Sequence, residues 1–331
     1  MLPLGSRLGL ISFPVALLIR SKFKIETMTS QTSAVSTTDI PPLIGGRVAT
    51  YAWQWQQQPI TVAYEILGEG PVILLLPALS TVSSRSEMAD LAKGLASRYQ
   101  VIALDWPGFG ASSRLPLDYR PDLFYQCLSD FVQSQFSEPI MVAAAGHAAG
   151  YALRLGAQKP GLWSRIVLTS PTWRGPLAVM GAPQAIRDGL RELVRSPLVG
   201  DALYTLNTAP AFLRWMYQRH VFVDEGTLTP DFVAQKYAIT QKQNARYAPA
   251  AFVTGTLDPA TSREEYVGWA RSLLVPLMVV IGQQSPDASK AEMESLSALP
   301  GVETVRMRGS LGVHEERGED IAIAILNWQA G

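Results

Sequence analysis

Gly146-His147-Ala148-Ala149-Gly150 decides how this chain is read. The apolar run 140–145 precedes it, and a helical pattern follows over 151–158. Strand, glycine-flanked sharp turn and helix form the setting in which a G-x-S-x-G sequence presents a nucleophile above a sheet edge. The middle residue of such a turn is normally Ser, Cys or Asp. Here it is Ala148, and a methyl group cannot attack a carbonyl. The same logic places φ > 0 at Ala148, at a cost on the order of 1 kcal/mol for a non-glycine residue.

Working outward, residues 51–55 and 60–64 alternate apolar and polar, as half-buried strands do. Residues 68–71 form a turn, and 72–76 are a continuous apolar run, the pattern of a strand buried on both faces. Helical patterns over 87–95 and 119–136 flank a strand at 101–104 and the Gly/Pro-rich loop 105–110. A further strand follows at 165–168. Strands alternating with helices imply a parallel sheet with right-handed crossovers. The alternation stops over 173–271, where helical patterns occur without a buried strand. There Phe212, Trp215 and Met216 share a helix face, and Pro210 suits that helix's first turn. Strands at 277–282 and 303–307 and a last helix at 321–329 complete the pattern.

The expectation is an α/β fold: a mostly parallel twisted sheet, helices on both faces, and a helical lid insertion. Residues 1–47 are an N-terminal extension, disordered or targeting. The first core segment is 48–172, the lid 173–271 and the second core segment 272–331.

The chain has 331 residues, 47% hydrophobic and 17% charged, and its 28 basic and 28 acidic residues cancel. No basic block marks a nucleic-acid surface. The single cysteine, Cys127, excludes an intramolecular disulfide and reads as helix-interior packing. Three histidines at long spacings, without H-E-x-x-H or C-x-x-C, support no metal site, and no cofactor is expected. The apolar run 8–19 is shorter than the roughly 20 residues of a membrane span. Basic residues surround it and the first acid is Glu26, so residues 1–27 read as a signal, a transit peptide, or sequence preceding a start at Met28. A soluble cytoplasmic protein is expected, or a stromal one if 1–27 is a transit peptide. No membrane association is indicated beyond the extension.

This order resembles the α/β-hydrolase superfamily (the AB hydrolase-1 type) from about residue 48 to 329. Four landmarks carry the resemblance: the strand ending at Pro77-Ala78-Leu79, the loop 105–110, the turn at 146–150, and His314 after the last strand. The resemblance implies a Ser–His–acid triad and an oxyanion hole. It assigns the nucleophile position to Ala148, the base to His314 and the acid to Ser285, three residues after Gly282. Asp287 is a second acid candidate, reachable only through a rearranged loop. Backbone N–H groups of Leu79 and Ala149 would form the oxyanion hole. Phe212, Trp215 and Met216 are candidate ligand contacts of the lid, His147 a packing residue, and His220 a helix-end or surface residue.

Nucleophile and acid are thus missing together. That points to a pseudoenzyme candidate, non-catalytic or atypical, that binds a small apolar or ester-like molecule. The alternatives are a serine-independent enzyme using His314 and the oxyanion hole, or an esterase or lipase-like hydrolase with a nucleophile relocated to Ser80, Ser83, Ser112 or Ser170.

Overall fold

The computed structural model describes residues 40–197 and 199–330. Most of the expected extension therefore lies outside the described residues. Its last stretch does not behave as a tail. Ile44 is fully buried, and the N–H groups of Leu43, Ile44 and Gly46 donate to the Glu65 carboxylate. The packed fold begins before residue 48.

Eight strands form one sheet: β1 (Arg47–Trp55), β2 (Gln58–Leu67), β3 (Val72–Leu76), β4 (Gln100–Leu104), β5 (Ile140–Ala145), β6 (Trp163–Thr169), β7 (Leu277–Gly282) and β8 (Val302–Met307). Their spatial order is β1-β2-β4-β3-β5-β6-β7-β8. β1 and β2 are antiparallel, and β2 pairs antiparallel with β4; the remaining pairs are parallel. Gln56 and Gln57, both at positive φ, make the two-residue turn that joins β1 to β2.

The helices are α1 (Ala89–Leu95), α2 (Pro121–Gln135), α3 (Ala148–Gln158), α4 (Pro176–Val179), α5 (Gln184–Arg195), α6 (Gly200–Asn207), α7 (Pro210–Met216), α8 (Pro230–Thr240), α9 (Tyr247–Val253), α10 (Arg263–Arg271), α11 (Asp287–Ser297), α12 (Val313–Glu316) and α13 (Gly318–Ala330).

Strand alternation sorts the core into two layers. Leu74, Leu76, Val142, Ala144, Leu168 and Val279 pack toward α2 and α3, where Phe124, Tyr151 and Leu155 meet them. Ile73, Leu75, Ala143, Ala145, Val167 and Val280 pack toward Leu91 and Leu95 of α1 and Ile321 and Ile325 of α13. Cys127 is buried in the first layer, as its helix-interior position implies.

One buried charge brace has no signature in the sequence. Arg85, 0% exposed, reaches Glu65 of β2 (2.9 Å) and Asp105 after β4 (2.5 Å). It ties the loop after β3 to two neighbouring strands at once.

The block between β6 and β7 is helical, as its sequence implies, but α10 belongs to the core. It packs on α3, and its Tyr266 and Ala270 join the first layer. The insertion is therefore α4 to α9, and α9 also reaches the first layer through Ala248 and Ala251.

Candidate functional site

Every residue from Met141 to Gly150 is buried. β5 ends at Ala145 and α3 starts at Ala148, so the chain reverses within two residues. Gly146 takes the left-handed conformation, φ +49°, while His147 is already helical at φ −71° and ψ −23°. Ala148 is the first residue of α3 and is not among the positive-φ residues. The expected strain at Ala148 is thus corrected: the apex of the turn is Gly146. The reason is steric, because left-handed φ falls on the residue without a Cβ. A Cβ there would sit 3.1 Å from that of Ala78 in the loop after β3. The Gly146 carbonyl accepts from Thr172 N–H (3.0 Å) and Ala149 N–H (3.3 Å). Ala149 N–H, expected in an oxyanion hole, is therefore engaged within its own turn. Leu79, the other expected donor residue, is buried.

His147 is held from below. Its Nε2–H donates to the Leu257 carbonyl (3.0 Å), which also accepts from Tyr151 Oη (2.7 Å). Asp258 Oδ1 lies 3.4 Å from His147 Nε2 and accepts from Gly175 N–H (2.7 Å). Asp258 thereby clips the end of the insertion to its beginning. Burial pushes the Asp258 carboxyl up to about 7 and the His147 imidazole down to about 4. His147 is therefore neutral at neutral pH, a packing and hydrogen-bonding residue.

Ser285 follows β7, and its N–H closes a turn onto Gly282 (3.0 Å). Its hydroxyl is buried without a partner among the described residues. The loops after β7 and β8 lock together through Gln284 N–H to the Gly309 carbonyl (2.9 Å) and Gly309 N–H to Gln284 Oε1 (2.7 Å). Ser170, at φ +39°, straps both loops. Its Oγ donates to the Ser310 carbonyl (2.9 Å) and accepts from Gly282 N–H (3.3 Å).

Asp287 is corrected as an acid candidate. It opens α11 with a fully exposed side chain, 3.7 Å from Lys290. A carboxylate in open solvent cannot orient a buried imidazole. His314, 4% exposed in α12, instead presents Nε2 to Glu87 Oε2 at 3.3 Å. Its Nδ1 is buried without a partner among the described residues. Lys236 of α8 completes this cluster, 2.7 Å from Glu315 Oε1 and 3.9 Å from Glu87 Oε1. Burial raises the Glu315 carboxyl, and the Glu87 charge adds to that while Lys236 opposes it.

Phe212 and Trp215 meet as a tilted ring pair (centroids 5.6 Å apart) on the outer surface, and Met216 is half-buried. Leu213 is the residue of α7 that turns inward. His220 is exposed, as expected. A cavity of about 50 Å³ lies among Trp173, Arg174, Ser289 and Glu292, and one of about 10 Å³ near Trp163; neither is lined by Gly146, Ala148 or His314. No described helix is long and apolar enough to cross a membrane, and no three metal-ligating side chains converge among the described residues.

The strand order, the two-residue turn between β5 and α3, and the helical insertion before β7 set the context for comparison with known proteins. A family model described as the alpha/beta hydrolase family matches residues 73–324. The chain belongs to this family. No curated protein matches it. Among solved structures it is similar to a thermophilic esterase from Thermogutta terrifontis, with TM-score 0.67 and 15% identity over 86% of this chain and 98% of that one. It is also similar to an enol-lactonase from Burkholderia xenovorans, with TM-score 0.64 and 18% identity over 82% and 97% of the two chains. A bromoperoxidase from Bacillus anthracis gives TM-score 0.65 and 15% identity over 86% and 100%. At such identities these likenesses concern the fold.

Glu87, Lys236 and Asp258 carry no signal in the sequence, because each meets its partner across a long stretch of chain. Gly146 is conspicuous there, but the symmetry of the pair Gly146 and Gly150 draws the centre of the motif to Ala148.

Proposed function

We propose that this hydrolase-fold chain works by binding a small apolar molecule and forms no covalent acyl intermediate. The observation that carries this reading is Gly146. The turn apex, where the family presents its nucleophile, has no side chain, and Ala148 offers only a methyl group inside a helix. Of the four serine candidates for a relocated nucleophile, three donate their hydroxyls to loop carbonyls, and Ser80 Oγ accepts from Val82 N–H (3.3 Å). Ser83 Oγ donates to the Ala78 carbonyl, Ser112 Oγ to the Asp105 carbonyl (2.6 Å) and Ser170 Oγ to the Ser310 carbonyl (2.9 Å). Leu79, Ala148 and Ala149 give the apex buried apolar surroundings, which favour hydrocarbon over charge.

Native mass spectrometry of the full chain, with an assay on short-chain aryl esters, tests the reading. The expected result is a non-covalent apolar mass released on denaturation and no saturable turnover. Saturable turnover that remains with the protein through repurification would overturn it.

One contact favours a second reading. Glu87 holds the His314 imidazole as an orienting carboxylate would, so that His314 acts as a serine-independent base toward a bound water or ligand hydroxyl. His314→Asn separates the two. Weakened ligand binding without any turnover to lose belongs to the first reading, and lost turnover at unchanged affinity to the second.

A further inference from the structure

The loop after β4 gathers cations that lack a counter-ion. Arg114 Nη2 and Lys242 Nζ both donate to the Gly110 carbonyl, at 2.9 and 3.0 Å. Two cations therefore share one neutral oxygen. Neither meets a carboxylate at contact distance among the described residues.

The carboxylate whose charge reaches both is Asp105, and it is already engaged. Its Oδ1 accepts from Arg85 N–H (2.6 Å), and its Oδ2 from Arg85 Nη1 (2.5 Å) and Ala111 N–H (2.8 Å). Arg85 also holds Glu65 (2.9 Å). Arg85, Arg114 and Lys242 thus face two carboxylates, and one positive charge is left over. Acids close by in sequence do not supply the balance. Asp118 is held by Arg191 and Arg195, on the arginine face that α5 turns inward, and Asp201 by Arg246.

Like charges brought together in this way oppose each other. Burial lowers the Arg114 guanidinium. Lys242 lies at the surface but turns its ammonium in toward Gly110, and burial of that end, then the Arg114 charge, lowers it. Two donors are also unused. Arg114 Nε and Tyr204 Oη of α6 are buried without a partner among the described residues, and the two side chains are close enough to interact electrostatically. Orphaned donors around an unmatched charge mark a place for an anion.

Chemistry selects the anion. A surplus of one charge calls for a monoanion. Arg114 offers a planar fork, Lys242 a point charge and Tyr204 a hydroxyl donor, which together suit the two coplanar oxygens of a carboxylate. A phosphate dianion would exceed the surplus and meet the Asp105 charge.

We propose that Arg114, Lys242 and Tyr204 bind the carboxylate of a small organic acid where the loop after β4 meets the insertion. The site shares no residue with the apex at Gly146, and it stands whether or not the apex takes an apolar molecule. Arg114 belongs to the core, and Tyr204 and Lys242 to the insertion, so the bound acid joins the two.

Ligand-observed NMR of the full chain, with sodium acetate as the probe, tests the proposal. Saturable binding is expected, weakening as sodium chloride is raised. Lys242→Gln should weaken it roughly tenfold and Tyr204→Phe about threefold or more, each through loss of one hydrogen bond to a charged group. Neither variant should lower the thermal midpoint measured without acetate. Loss of the Lys242 charge relieves repulsion, and Tyr204 Oη gives up no hydrogen bond. Absence of saturable acetate binding by the wild type would overturn the proposal. Unchanged acetate affinity in both variants would also overturn it, by placing the anion elsewhere in the chain. So would a midpoint lowered in both, which would make these groups structural braces. Inorganic phosphate binding more tightly than acetate at equal ionic strength would overturn the assignment to a carboxylate.

Discussion

The two halves of the helical insertion follow opposite plans. The first, α4 to α7, buries an arginine and exposes Met180, Ile186 and Leu206. The second buries Tyr217, Phe222 and Leu228 together with Val82 of the core. It is also stitched to the loops around α12. Gly312 N–H donates to the Val221 carbonyl (2.9 Å), Ser310 Oγ to the His220 carbonyl (2.9 Å), and Lys236 bridges Glu315 and Glu87. The difference teaches that one insertion can do two jobs. Its second half seals the sheet edge, and its first half presents a surface outward.

The largest expected effect lies in the second half. Lys236→Met leaves the buried carboxylates of Glu87 and Glu315 facing each other without a cation. Breaking a buried ion pair from one side costs about 3–5 kcal/mol. Urea unfolding should show a loss of that size. A loss too small to measure would mean that Lys236 does not hold the seal.

The clip between the insertion's two ends is read through pH. The Asp258 carboxyl is raised from 3.8 to about 7, so the folded state holds an extra proton in that window and stability falls as pH rises through it. His147 is lowered from 6.5 to about 4, so the unfolded state holds the extra proton there and stability rises with pH. In the intact chain the two slopes offset from about pH 4 to 6.5. His147→Gln should leave stability falling with pH over that range, and Asp258→Asn should leave it rising. Each slope should approach about 1.4 kcal/mol per pH unit. Equal slopes in the two variants would contradict the neutral pairing of these groups.

The apex gives a smaller effect. Gly146→Ser places a side chain at φ +49° with its Cβ 3.1 Å from that of Ala78. The strain should cost about 1–3 kcal/mol in thermal or urea unfolding. Neither this variant nor Ala148→Ser should turn over aryl esters, because His314 faces Glu87 and Ser285 is no carboxylate. Turnover in Ala148→Ser would put the apex back at 148.

The smallest effect lies in the first half of the insertion. Ile186→Ser should change stability by no more than about 0.5 kcal/mol, since its side chain is already in water. A loss comparable to that of Lys236→Met would erase the contrast between the halves.

The fold was legible because strand periodicity is local. The runs 72–76, 101–104 and 140–145 are each readable from a few consecutive residues, and they appear as β3, β4 and β5 almost unchanged. The site was less legible because it depends on which residue of a turn takes positive φ and on contacts far apart in the chain. Two glycines flank His147 to Ala149, and only backbone geometry tells that the first is the apex. Glu87 and His314 are separated by 227 positions, and His147 and Leu257 by 110. The orientation of α5 was hidden for a different reason. Amphipathic spacing shows that a helix has two faces, and burying the apolar one is only the usual outcome. Asp118, placed to receive Arg191 and Arg195, reverses it.

That this hydrolase scaffold presents no nucleophile is tested most directly with a fluorophosphonate probe. The purified full chain is treated with the probe and its intact mass is measured. The expected result is the mass of the unmodified chain at every probe concentration that labels an active serine esterase. A single stoichiometric adduct, mapped to any serine of the chain, would contradict it.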